Sequence, residues 1–97
     1  MKMDEVVAKF KPIEHLLHEK FGVAKMFIFG SVARNEASDI SDIDVLIDFS
    51  TSPTFAQFMD LKFFLEDLFQ VRVDLVTRNA LRSSMKHDIE LEAKRVA

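Results

Sequence analysis

A chain of 97 residues without cysteine has the length of one domain, expected over residues 1–97, and excludes disulfides and thiolate zinc sites. Apolar residues at 48% and charged residues at 30% describe a globular protein rather than a disordered or membrane one, and a domain this small buries only about 60 to 65% of its unfolded surface. A net charge of −3 argues against general nucleic-acid binding, since affinity for a phosphate backbone comes from neutralising it with Lys and Arg.

The N-terminal stretch MKMDEVVAKFKPIEHLL is broken by charges and holds no apolar segment of signal-peptide length. No later run approaches membrane-spanning length, so a cytoplasmic location without membrane association is expected. From Asp4 to Phe21, Val6, Phe10, Ile13, Leu17 and Phe21 recur every three or four residues, the stripe of a core-facing helix. Pro12 inside it predicts a bend or break near Lys11, and Gly22 a left-handed end.

Lys25 to Phe29 reads as a buried strand closed by Gly30. Ser31 is placed to cap a short helix over Val32 to Glu36, and Ala37 to Ser41 reads as a polar loop. A second strand covers about Asp42 to Phe49, and Ser52 with Pro53 marks the start of a helix reaching about Phe69. That helix carries five of the ten Phe and is apolar over more than one face. Either tertiary neighbours cover both sides, or one side of residues 54–69 serves a partner or a second copy of the chain. Val71 to Val76 alternates as a strand with Asp74 and Arg72 on one face, where Arg72 is placed either to pair with Asp74 or to contact a nucleotide. Thr77 is placed to cap a turn, and Ser84 to Arg95 reads as a last helix with Met85, Ile89 and Ala93 inward.

The chemistry concentrates between Gly30 and Asp44. A strand's period of two puts Asp42 and Asp44 on one face, roughly 7 Å apart along the chain, with Ile43, Val45 and Ile47 on the other. Asp74 completes a triad if its strand is a neighbour. Three such carboxylates repel and raise one another's pKa values unless cations neutralise them. Magnesium suits them, because it takes oxygen ligands and binds through a few carboxylates plus substrate phosphates; two ions about 3.5 to 4 Å apart can activate one oxygen and stabilise another. Gly30 allows close backbone approach, and free N–H groups with the Ser31 hydroxyl favour phosphate oxygens. Metal on one side and a phosphate cradle on the other imply a nucleoside triphosphate. A calcium loop starting at Asp39 fails, with Asp44 in place of its glycine and Ser50 in place of its glutamate.

Gly30-Ser31, ten intervening residues and Asp42-Ile43-Asp44 together resemble the GS-x10-DxD signature of the DNA polymerase β-like nucleotidyltransferase superfamily. GSVAR with EASDISDIDVLIDF is similar to its small members, the minimal nucleotidyltransferase antitoxins that accompany HEPN toxins. The resemblance implies an α/β (α+β) nucleotidyltransferase fold, a small mixed sheet with helices mainly on one face. It implies that Asp42 and Asp44 bind two Mg2+ ions, that Asp74 binds the catalytic one, and that Gly30 and Ser31 hold the terminal phosphates of ATP. It further implies transfer of AMP to a tyrosine hydroxyl of the toxin, silencing its RNase activity. Asn35 stands where many relatives have glycine, which bears on loop stiffness and removes no ligand.

The chain has no tyrosine, so tyrosine self-modification is excluded, and if the acceptor is a tyrosine hydroxyl it lies on another protein. A non-catalytic reading, inhibition of the toxin by occlusion, stays open. Arg34 beside the cradle is a candidate contact to ATP, against a solvated loop charge. Asp48 reads as a strand-end charge, Asp39 as a loop cap, His15 and His18 as a solvated pair rather than metal ligands, and Arg78, Arg82, Lys86, Lys94 and Arg95 as a basic, solvated bias.

Overall fold

In the computed structural model, which describes residues 2–37 and 42–97, Pro12 decides the shape of the N-terminal segment. Helix α1 (Met3–Phe10) and helix α2 (Glu14–Phe21) are separated by a single 3-10 turn, Lys11–Ile13, because proline cannot donate the backbone bond that a continuous helix needs. Gly22 ends α2 in the left-handed conformation, φ 68°, as expected. Met3, Val6, Phe10 and Leu17 are buried, so the apolar stripe crosses the break without losing its face.

Four strands follow: β1 (Val23–Phe29), β2 (Ile43–Phe49), β3 (Val73–Thr77) and the two-residue β4 (Lys94–Arg95). Their order in the sheet is β3-β2-β1-β4, antiparallel except for the parallel pair β2–β3. The sheet is therefore mixed, as the resemblance implies. A bulge at Ala24 shifts the register between Val23 and Lys25. One face of the sheet carries Met26, Ile28, Ile43, Val45, Ile47, Val73 and Leu75, and these form the core with α1, α2 and helix α4 (Phe55–Phe69). The period of two leaves Phe27, Phe29, Asp44, Leu46, Asp48, Asp74 and Val76 on the other face. Helix α5 (Ser83–Glu92) lies over that outer face: Arg78 bonds both Asp48 and Glu90 of α5 while its guanidinium stands 5.2 Å from the ring centre of Phe27.

The apolar girth of α4 has a partly internal explanation. Leu61, Leu65 and Phe69 form its buried line, while three tilted aromatic pairs, Phe10–Phe69, Phe21–Phe64 and Phe49–Phe58, tie its flanks to α1, α2 and β2. Phe55 (79% exposed) and Phe63 (56%) stay outside. Two residues of α4 also reach the free edge of β3, where Lys62 Nζ donates to the Val73 carbonyl at 2.9 Å and Glu66 accepts from the Val73 N–H at 3.0 Å.

Several boundaries differ from the sequence reading. The α4 cap is Thr54, not Ser52: Thr54 and Gln57 form a reciprocal capping box, which satisfies two backbone donors where Pro53 at the first turn would satisfy none. Ser31 lies inside helix α3 (Gly30–Ala33) and makes no cap, because the turn is taken one residue earlier at Gly30, φ 73°. Thr77 precedes a 3-10 turn, Arg78–Ala80, without a side-chain bond to it. The last helix stops at Glu92 because Lys94 and Arg95 pair with Ile28 and Phe27, closing the edge of β1; Met85 is consequently exposed at 51% rather than inward, and Ile89 alone in α5 is buried. Most of the predicted loop over Ala37 to Ser41, with Asp39, lies outside the described residues.

Candidate active site

The site is set by register. Phe29 pairs with Asp44 across β1–β2, which brings Gly30 beside Asp44, and Asp44 pairs with Asp74 across the parallel β2–β3. Directly paired residues on neighbouring strands project to the same face, so Asp44 and Asp74 stand side by side. Asp42 lies just before β2, and its charge acts on Asp44.

Gly30 is required there for two reasons. Its φ of 73° lies where side chains are rarely tolerated, and a Cβ at this position would overlap the Asp44 carboxylate, approaching Cγ to 3.0 Å. The missing side chain is the space that Asp44 uses. Burial, followed by the charges of Asp74 and Asp42, pushes the Asp44 carboxyl up to about 6; Arg34 opposes this rise and Glu92 adds to it. The donor set is thus all oxygen, half-buried at Asp42 and Asp44 and exposed at Asp74, and short of positive charge, which fits Mg2+ in chemistry. Among the described residues, no three acidic or histidine side chains already converge closely enough to hold an ion.

Arg34 Nη1 donates to both oxygens of Glu92, at 3.2 and 3.0 Å, and Arg34 Nε to Glu36 Oε2 at 3.1 Å. Glu36 and then Glu92 raise its pKa further. The Gly30 N–H donates to Glu92 Oε1 at 2.7 Å. Ser31 is half-buried in α3, and its carbonyl accepts from the Glu36 N–H at 2.9 Å.

Residues 11–97 match the family model described as a nucleotidyltransferase domain. The chain belongs to that family. Its relative the protein adenylyltransferase MntA of Thermococcus cleftensis is 36% identical over 85 residues, covering 88% of this chain and 86% of the relative. A solved structure, provisionally assigned as a minimal nucleotidyltransferase, superposes with a TM-score of 0.82 at 33% identity over 97% of this chain and 95% of that one. A toxin-antitoxin crystal structure with AMP-PNP superposes with a TM-score of 0.75 at 19% identity, over 91% and 72% of the two chains, and at that identity shows the shared fold.

Within this nucleotidyltransferase, the departure at Asn35 is accommodated. Asn35 takes φ 58°, a left-handed conformation that asparagine tolerates better than most residues, and its Oδ1 accepts from the Met3 N–H at 3.3 Å, tying α1 to the segment behind the site. Other sequence readings are corrected. Arg72 forms no ion pair with Asp74 among the described residues. Asp48 is no mere strand-end charge: Arg78 Nε and Nη2 grip its two oxygens at 3.0 Å each. His18 Nδ1 lies 2.6 Å from the Val23 carbonyl and is a structural contact, while His15 is exposed. Sequence reasoning missed Glu92, which meets Gly30 across 62 positions with no local signal to announce it.

Proposed function

We propose that this nucleotidyltransferase is an antitoxin that transfers AMP from ATP to a tyrosine hydroxyl of a HEPN-type RNase toxin in the cytoplasm, neutralising it. The single observation that carries the reading is the pairing of Asp44 with Asp74 beside Gly30, a like-charge contact that is costly unless a ligand brings positive charge. The name of the Thermococcus relative supports adenylyl transfer, and the toxin-antitoxin neighbour supports a toxin as acceptor.

In this reading Asp42, Asp44 and Asp74 hold Mg2+, which would supply charge neutralisation at the α-phosphate and lower the pKa of the attacking hydroxyl. Gly30 and Ser31 hold the terminal phosphates, and Arg34 lies beside them. The toxin's tyrosine hydroxyl gives up its proton to solvent as its oxygen attacks the α-phosphorus in line, the bond to the bridging oxygen breaks, and pyrophosphate leaves. No side chain of this chain forms a covalent intermediate.

Incubating the purified chain with ATP, Mg2+ and the toxin should add AMP-sized mass increments to the toxin. Asp42→Ala with Asp44→Ala should lower the rate on the order of a thousandfold or more. An unmodified toxin with the wild-type chain would refute the proposal. A second reading, inhibition by occlusion, is favoured by the exposed Phe55 and Phe63 on α4. If the double variant still silences the toxin in a stable complex, occlusion suffices; if it binds without silencing, the transfer is needed.

A further inference from the structure

Glu92 occupies donors that the proposed function assigns to the nucleotide's phosphates. Its Oε1 accepts from the Gly30 N–H at 2.7 Å, and Arg34 Nη1 reaches both its oxygens. A carboxylate and a phosphate offer such donors the same thing, a pair of anionic oxygens, so the two compete for one seat. We infer that Glu92 is a displaceable gate on the nucleotide site, filling the anion seat at Gly30 and Arg34 in the free protein and swinging out when a triphosphate enters. The inference rests on the nucleotide-transfer reading of the same site.

The surroundings make displacement cheap. Glu92 is the last residue of α5, and the chain beyond it is fixed by β4 pairing with β1, so the move needs side-chain rotation and no shift of the sheet. The hold of α5 on the sheet does not depend on Glu92, because Ile89 is buried and Glu90 Oε2 accepts from Arg78 Nη1 at 2.6 Å. The Arg34–Glu92 pair is open to solvent, with side chains 46% and 29% exposed, and exposed pairs hold weakly. Departure of Glu92 also removes a negative charge from the neighbourhood of Asp44 and leaves Arg34 anchored by Glu36 alone.

The test is calorimetric binding of AMP-PNP with Mg2+ to the wild-type chain, Glu92→Gln and Glu92→Ala, with a thermal melt of each. Removing the competitor should tighten binding about fivefold in Glu92→Ala and less in Glu92→Gln, which keeps an oxygen acceptor without the charge. In the transfer assay, KM for ATP should fall by more than kcat changes. Folded variants that bind AMP-PNP no tighter than wild type would overturn the gate, and Glu92→Gln decides the matter if the alanine variant does not fold. Equal binding in all three, together with AMP transfer by wild type, removes the gate and leaves the proposed function intact. Tighter binding by the variants with no transfer by any of them keeps the gate and removes that function.

Discussion

Asp44 and Asp48 lie on one strand, on one face, four residues apart, and their surroundings are opposites. At Asp48 the fold supplies its own cation: Arg78 holds both carboxylate oxygens and is itself stacked over Phe27 and bonded to Glu90. At Asp44 the fold supplies more acid, Asp74 alongside and Asp42 two residues back, while the nearby Arg34 is engaged by Glu36 and Glu92. An aspartate on a sheet face is structural where its counter-charge arrives with it, and a candidate for chemistry where only further carboxylates do.

The strongest way to break the Asp44 end is Gly30→Ala. The new Cβ meets the Asp44 carboxylate on a backbone with φ 73°, so AMP transfer should fall about a hundredfold and stability by about 1 to 3 kcal/mol, read by the transfer assay and a thermal melt. Breaking the other end by Asp48→Ala leaves the half-buried Arg78 with Glu90 alone. Stability should drop by about 2 kcal/mol in urea titration, while transfer per folded molecule stays at the wild-type rate.

The smallest effect sharpens the contrast by its sign. Asp44 titrates at about 6 in the folded chain, against about 4 in an unfolded one, so the folded state takes the proton first as pH falls. Its contribution to stability is fully present below pH 4 or so and is lost as pH rises through about 6. Asp44→Asn should therefore stabilise the protein at pH 7.5, on the order of 1 kcal/mol after discounting for the solvent that still reaches the group, and the gain should fade toward pH 4. Melting the pair across that range tests it; a variant less stable than wild type at pH 7.5 would mean that Asp44 is already compensated.

Features carried by neighbouring residues were legible in the sequence. Pro12 and Gly22 announced their break and their turn, and the alternation around Asp44 and Asp74 announced which residues share a face. The start of α4 was misplaced, since Ser52-Pro53 read as the helix start while the structure closes two hydrogen bonds between Thr54 and Gln57 instead. What could not be read was long-range: that Arg78 reaches back 30 positions to Asp48, that two residues after α5 become a strand, and that Glu92 meets Gly30. Those contacts follow from how α5 folds over the outer face, and no periodicity encodes it.

The bracket that Lys62 and Glu66 place on Val73 has a consequence for behaviour in concentrated solution. β3 is the outermost strand on its side, and an outermost strand ordinarily invites another chain to zip alongside. With its first amide and carbonyl already taken by two side chains of one helix turn, the zipper cannot start at Val73, which shortens the rim open to such stacking.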